Sequence, residues 1–159
     1  AVSKGLYLPL VYNTSAYDNL EVIKMLDGIV DIYLPDFKYQ DGAMAGRYSS
    51  GAADYPEVAA SVICEMHRQV GDLQMDKTGI ALRGLMIRHL VMPDNIAGTD
   101  RFVHWVAKEL STTTYVNIMA QYHPRHKAYD YAEISRRIAD TEYRQAFQWA
   151  RDAALTNQD

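Results

Sequence analysis

Asp36-Phe37-Lys38 closes an apolar run, and an extended backbone turns Asp36 and Lys38 to the same side. A carboxylate and an ammonium so placed suit a zwitterionic ligand such as an amino-acid moiety, whose charged ends want opposite partners. They equally suit a plain surface ion pair. Arg88 interrupts the run Leu85 to Met92, where an unpaired guanidinium is costly. It is therefore expected to face a ligand, a polar interior, or a salt-bridge partner such as Asp36. His89 points the other way by strand alternation and reads as a satisfied packing residue. His123 follows the run Tyr115 to Met119 and reads as a ligand hydrogen-bond donor or acid–base group. His123 and His126 have Pro124 between them, which disfavours a regular helix, and no Cys or carboxylate cluster joins them. No metal site is expected there. Cys64 falls in mid-helix and reads as a packing thiol.

Alternating strand and helix signals must position these groups. Leu6 to Tyr12, Ile29 to Leu34, Leu85 to Met92 and Tyr115 to Met119 read as strands, Pro9 being an irregularity in the first. Asp18 with Glu21 suggests a capping box for a helix burying Leu20, Ile23 and Leu26 and ending at Gly28. Asp54, Pro56 and Glu57 open a helix through Val70. Asp100 is expected to cap a helix burying Phe102, Val103, Val106 and Leu110, and a last helix starts at Thr141. Leu73 to Met75 and Ile80 to Leu82 flank Asp-Lys-Thr-Gly, a small hairpin expected to decorate the main sheet. Strands separated by helices imply right-handed crossovers and a parallel sheet, so the fold class is α/β. Four parallel strands are too few to close an eight-stranded barrel. In such sheets function gathers at the C-terminal strand ends. Those ends carry Asn13-Thr14-Ser15, Asp36 to Lys38, Arg88-His89 and Gln121-Tyr122-His123.

The 159 residues fit one domain, with 48% hydrophobic and 23% charged residues. A net charge of -4 with scattered basic residues argues against nucleic acid or an anionic membrane as main partner. A single cysteine rules out an internal disulfide and fits a reducing, cytoplasmic setting. No run approaches the ~20 apolar residues of a membrane helix.

Taken in order, Tyr-Asn-Thr-Ser after a strand, Ile-Tyr-Leu-Pro-Asp-Phe-Lys, Ile-Arg-His-Leu-Val-Met-Pro and Gln-Tyr-His resemble the pyruvate formate-lyase activating branch of radical S-adenosylmethionine (SAM) enzymes. The likeness spans Leu6 to about Tyr143. It implies that residues 1–159 are the C-terminal part of a partial (β/α)6, TIM-like barrel, supplying its third to sixth strands. The family's CxxxCxxC cluster loop and Gly-Gly-Glu-type motif belong to earlier strands and are absent here. Cys64 alone cannot hold a [4Fe–4S] cluster, which in this family needs three thiolates. By the same resemblance Asn13, Thr14, Asp36, Lys38, Arg88 and His123 form the SAM site, with Tyr122 beside His123. The family's Asp-Thr-Asn-Gly turn falls on Asn13, Thr14, Ser15 and Ala16, its first charge lost and its Gly replaced by Ala. At positive φ, Ala16 would be strained.

The complete protein is then expected to bind SAM and a [4Fe–4S] cluster and to generate a 5′-deoxyadenosyl radical. Its partner would be a glycyl-radical enzyme or another protein substrate. The segment itself is expected to hold neither cofactor and to be catalytically silent. Two other readings remain open: a noncatalytic α/β module that binds a ligand or protein, and a metal-assisted barrel hydrolase or lyase using Asp36, His123 and Arg88. The bare edge of the first strand is expected to be covered by a second copy, as in a homodimer, or by crystal packing.

Overall fold

The computed structural model describes Gly5 and residues 7–158. Its first strand, β1, is Val11–Thr14. Of the expected Leu6 to Tyr12, Leu6 lies outside the described residues, and the ladder begins only after Pro9. The Leu10 N–H is diverted to the Asp31 carboxylate at 2.8 Å, while its carbonyl takes the N–H groups of Asp31 and Ile32. Helix α1, Leu20–Met25, is capped by Asn19 rather than Asp18. Asp18 instead accepts the hydroxyls of Tyr12 and Thr14. Only Ile23 of α1 is fully buried.

Strand β2 is Ile32–Phe37, displaced from the expected Ile29 to Leu34. The shift has a local cause: the N–H groups of Ile29 and Val30 turn back to the Leu26 carbonyl and cannot join a ladder. Helix α2, Gly42–Tyr48, was not anticipated; the Asp41 carboxylate caps it by accepting from Ala43 and Met44. Helix α3 is Tyr55–Val70.

Strand β3, Gln74–Met75, lies antiparallel against β4, Ala81–Leu90. The hairpin therefore belongs to the sheet instead of decorating it, because its second arm runs straight into the third long strand. Gly84 marks the passage. Its φ is +125°, and a Cβ there would lie 2.5 Å from the Asp72 carbonyl oxygen. Helix α4, Thr99–Glu109, follows Gly98 rather than starting from Asp100, and Asn95 Oδ1 accepts the Thr99 N–H. Strand β5 is Tyr115–Met119, and helix α5 is Asp140–Asp152.

The sheet is thus α/β, with four parallel strands adjacent in the order β1-β2-β4-β5 and β3 added antiparallel to β4. Tyr33, Phe37, Leu85, Ile87, His89, Val116 and Ile118 are buried on one face. That face takes the helices: Phe37 stacks on Phe102 of α4, the Tyr33 hydroxyl donates to Gln69 of α3, and Tyr143 of α5 donates to the Ile118 carbonyl. The other face carries Leu34, Asp36, Met86, Arg88, Leu90, Asn117 and Met119, all partly exposed. Strand alternation separates the two sets. The parallel strands follow chain order without the reversal that defines a doubly wound sheet.

His89 is fully buried. Its Nδ1 donates to the Phe37 carbonyl at 2.8 Å, so Nε2 accepts from the Thr99 hydroxyl at 2.9 Å. Burial pushes its pKa down to about 4, against a weaker opposing effect of the Phe37 carbonyl. The unfolded chain therefore takes up this proton first. Stability is full above pH ~6.5 and falls as pH drops toward ~4, by about 3 kcal/mol. Urea unfolding at pH 7.5, 5.5 and 4.5 checks this. The lowered pKa of His123 acts in the same direction, so His89→Gln must flatten most of the slope; an unaltered slope refutes the assignment.

Candidate functional site

Asp36 and Lys38 emerge at the C-terminal end of β2, and the strand pleat turns both onto the open face. Lys38 Nζ lies 2.7 Å from Asp36 Oδ2, and Arg88 of β4 pairs with Asp36 Oδ1 at 2.6 Å. Register explains the second contact, since Asp36 stands directly opposite Arg88. Arg88 also donates to the Asn13 amide oxygen at 2.9 Å. The angle of the Arg88–Asp36 pair is not that of a hydrogen bond, so Asp36 Oδ1 and Arg88 Nε are buried atoms without a hydrogen-bond partner. One carboxylate flanked by two cations leaves a net positive charge and unused bonding capacity at the strand ends.

These groups share a cavity of about 600 Å³ whose walls include Asp36, Lys38, Arg88, Met119, Tyr122 and His123. Four of the residues singled out in the sequence therefore converge, from three strand ends. Asn13 joins only through Arg88. Thr14 does not line the cavity: its hydroxyl donates to Asp18 and accepts the Ala16 N–H. His123 is exposed, and Arg137 donates to its Nε2. Arg137, burial and Arg125 together hold its pKa below the usual imidazole value.

Tyr55 gives the site support that sequence reasoning missed. Its hydroxyl accepts the Lys38 N–H at 2.9 Å and lies within 3.0 Å of the Ser15 and 2.9 Å of the Asp36 carbonyl. It thus ties the ends of β1 and β2 together, and burial raises its pKa. No sequence signal distinguished this tyrosine from a helix-start residue beside Pro56. Arg125 and Tyr39 also line the cavity and were not singled out.

Ala16 has φ 62° and is fully buried. The turn after β1 thus takes the left-handed conformation that favours glycine. Cys64 is half-buried in α3, and burial raises its pKa. Among the described residues, no three His, Cys, Asp or Glu side chains are grouped to hold a metal ion. No helix among them is long and apolar enough to cross a membrane.

The arrangement defines an α/β protein with a mixed-charge cavity at the C-terminal ends of its parallel strands. By sequence the chain is similar to Uncharacterized protein MJ0674 of Methanocaldococcus jannaschii, at 31% identity over 144 residues. That match takes in 90% of this chain and 38% of the relative's length. No family model matches the chain, and no solved structure matches it.

Proposed function

We propose that this chain is the C-terminal part of a radical SAM enzyme of the activating type, and that its open sheet face is the inner wall of a partial barrel. The observation that carries the reading is the Asp36–Lys38–Arg88 ion cluster sharing one cavity with His123. SAM carries an ammonium, a carboxylate and a sulfonium, and a carboxylate held between two cations offers complementary partners for the charged ends of its methionine. Asp36 would accept from the ammonium, Arg88 and Lys38 would donate to the carboxylate, and His123 would bond the nucleoside. The left-handed Ala16, where the family has glycine, supports the register of the likeness. Strands in chain order with helices on one face suit a barrel wall better than a doubly wound sheet.

The donor set fits SAM but not a cluster, since Cys64 lies in mid-helix and has no companion thiol. Cluster ligands, like SAM cleavage to a 5′-deoxyadenosyl radical, belong on this reading to the complete polypeptide. What the present residues do is bind and orient. The setting inferred is cytoplasmic, and the substrate inferred is a glycyl-radical enzyme or another protein. The free edge of β1 would be covered by further strands of the polypeptide or by a second copy. A metal-assisted hydrolase is less well supported, because among the described residues Asp36 and His123 are joined by no third ligand.

The test is anaerobic cluster reconstitution of the complete polypeptide, followed by chromatography for 5′-deoxyadenosine from SAM and dithionite. We expect 5′-deoxyadenosine formation that Arg88→Gln depresses at least tenfold. A reconstituted protein that binds no SAM would overturn the reading in favour of a noncatalytic binding module.

A further inference from the structure

Two arginines beside the SAM-type cavity stand apart from the others. Arg47, Arg68, Arg88, Arg101 and Arg136 each pair with a carboxylate. Arg83, Arg144 and Arg151 each donate to an uncharged oxygen. Arg137 is directed instead at a ring nitrogen of His123, and Arg125 has no ion-pair partner among the described residues. Arg137 donates to His123 and Arg125 lines the larger cavity with it, so three groups able to carry positive charge gather around that ring. The net charge of the chain is -4, so this is a local excess rather than a general basicity.

Beside His123 a second cavity of about 360 Å³ opens, with Arg137, Ala139, Asp140 and Tyr143 on its walls. It shares Gln121, Tyr122 and His123 with the larger cavity, whose rim includes Arg125. His123 therefore stands on the wall common to both. The only carboxylate on the smaller cavity is Asp140, against Arg137 and His123, while Asp36, Lys38 and Arg88 face His123 across the larger one.

We propose that this second cavity binds an oxyanion, held by Arg137 and His123 with Arg125 adding positive charge from the adjoining cavity, which is the acidic group of a second ligand lying next to the first. Guanidinium groups match oxyanions with paired N–H donors, and an anion beside Arg137 offsets the positive charge gathered around His123. Once it binds, the His123 ring can take a proton and donate to it rather than accept from Arg137. The inference deepens the proposed function by giving the partner an acidic group, but its site can be probed without SAM or cluster.

The probe is inorganic phosphate, titrated into the full chain at constant ionic strength while NMR follows the histidine ring protons. We expect saturable binding in the millimolar range that raises the midpoint of the His123 titration by roughly one pH unit. His104, an exposed histidine on α4, should not move. In Arg125→Gln/Arg137→Gln the saturable response should vanish, and His123 should titrate near its ordinary value before phosphate is added. Succinate in place of phosphate separates the sources: an equal response assigns a carboxylate, and a response to phosphate alone assigns a phosphoryl group. No saturable change at His123, or one undiminished in the double variant, would overturn the proposal. Failure here leaves SAM binding by the larger cavity untouched.

Discussion

Phe102→Ala is expected to cost about 3–5 kcal/mol of folding stability. Phe102 is fully buried and lies between two rings, His89 at 4.2 Å and Phe37 at 4.9 Å between centroids. It is the point where α4 grips both β2 and β4. Removing the ring loses its transfer free energy and opens a cavity that neighbours cannot fill, because the sheet backbone on one side is rigid. His89 would then border a void. If water entered, the imidazole would be less desolvated, and the loss of stability below pH ~6.5 would shrink along with it. Chemical denaturation at two pH values measures both effects. A loss under ~1 kcal/mol would mean that this aromatic stack does not anchor the helix layer.

On the proposed reading, Asp36→Ala should weaken SAM binding by the complete polypeptide roughly 30-fold, corresponding to about 2 kcal/mol. Asp36 is the single anion between Lys38 and Arg88, so its loss leaves two cations facing each other and frees Arg88 to swing away from the cavity. The side chains of Lys38 and Arg88 are 43% and 31% exposed, so solvent screens much of the repulsion and folding should suffer little. Asp36→Asn keeps the size and one acceptor, and should fall between wild type and alanine. Equilibrium dialysis with labelled SAM gives the affinities, and circular dichroism checks the fold. Equal affinity in all three proteins would remove Asp36 from the site and with it the ligand-binding role argued for the cluster.

The sequence was most legible where short-range rules act alone. Period-2 alternation placed Arg88 and His89 on opposite faces, and β5 was read at Tyr115 to Met119 as observed. It was least legible where a distant group competes for the backbone. Asp31 took the Leu10 N–H, and the turn closing α1 took Ile29 and Val30, so two strands moved toward the C terminus. Asp18 looked like a cap but was engaged by Tyr12 and Thr14, leaving Asn19 to do the capping.

By itself, then, the chain's pattern determined an α/β class, a parallel sheet and the polar residue types delivered to the strand ends, because pleat and helix period are local properties of the backbone. Only the tertiary structure decided which of those residues meet. Register across β2 and β4 set Asp36 opposite Arg88, the Tyr55 hydroxyl drew two strand ends together, and Arg137 came to His123 from a loop that local rules do not constrain. Contacts between residues far apart in sequence depend on how whole elements pack, and no short window of residues carries that information.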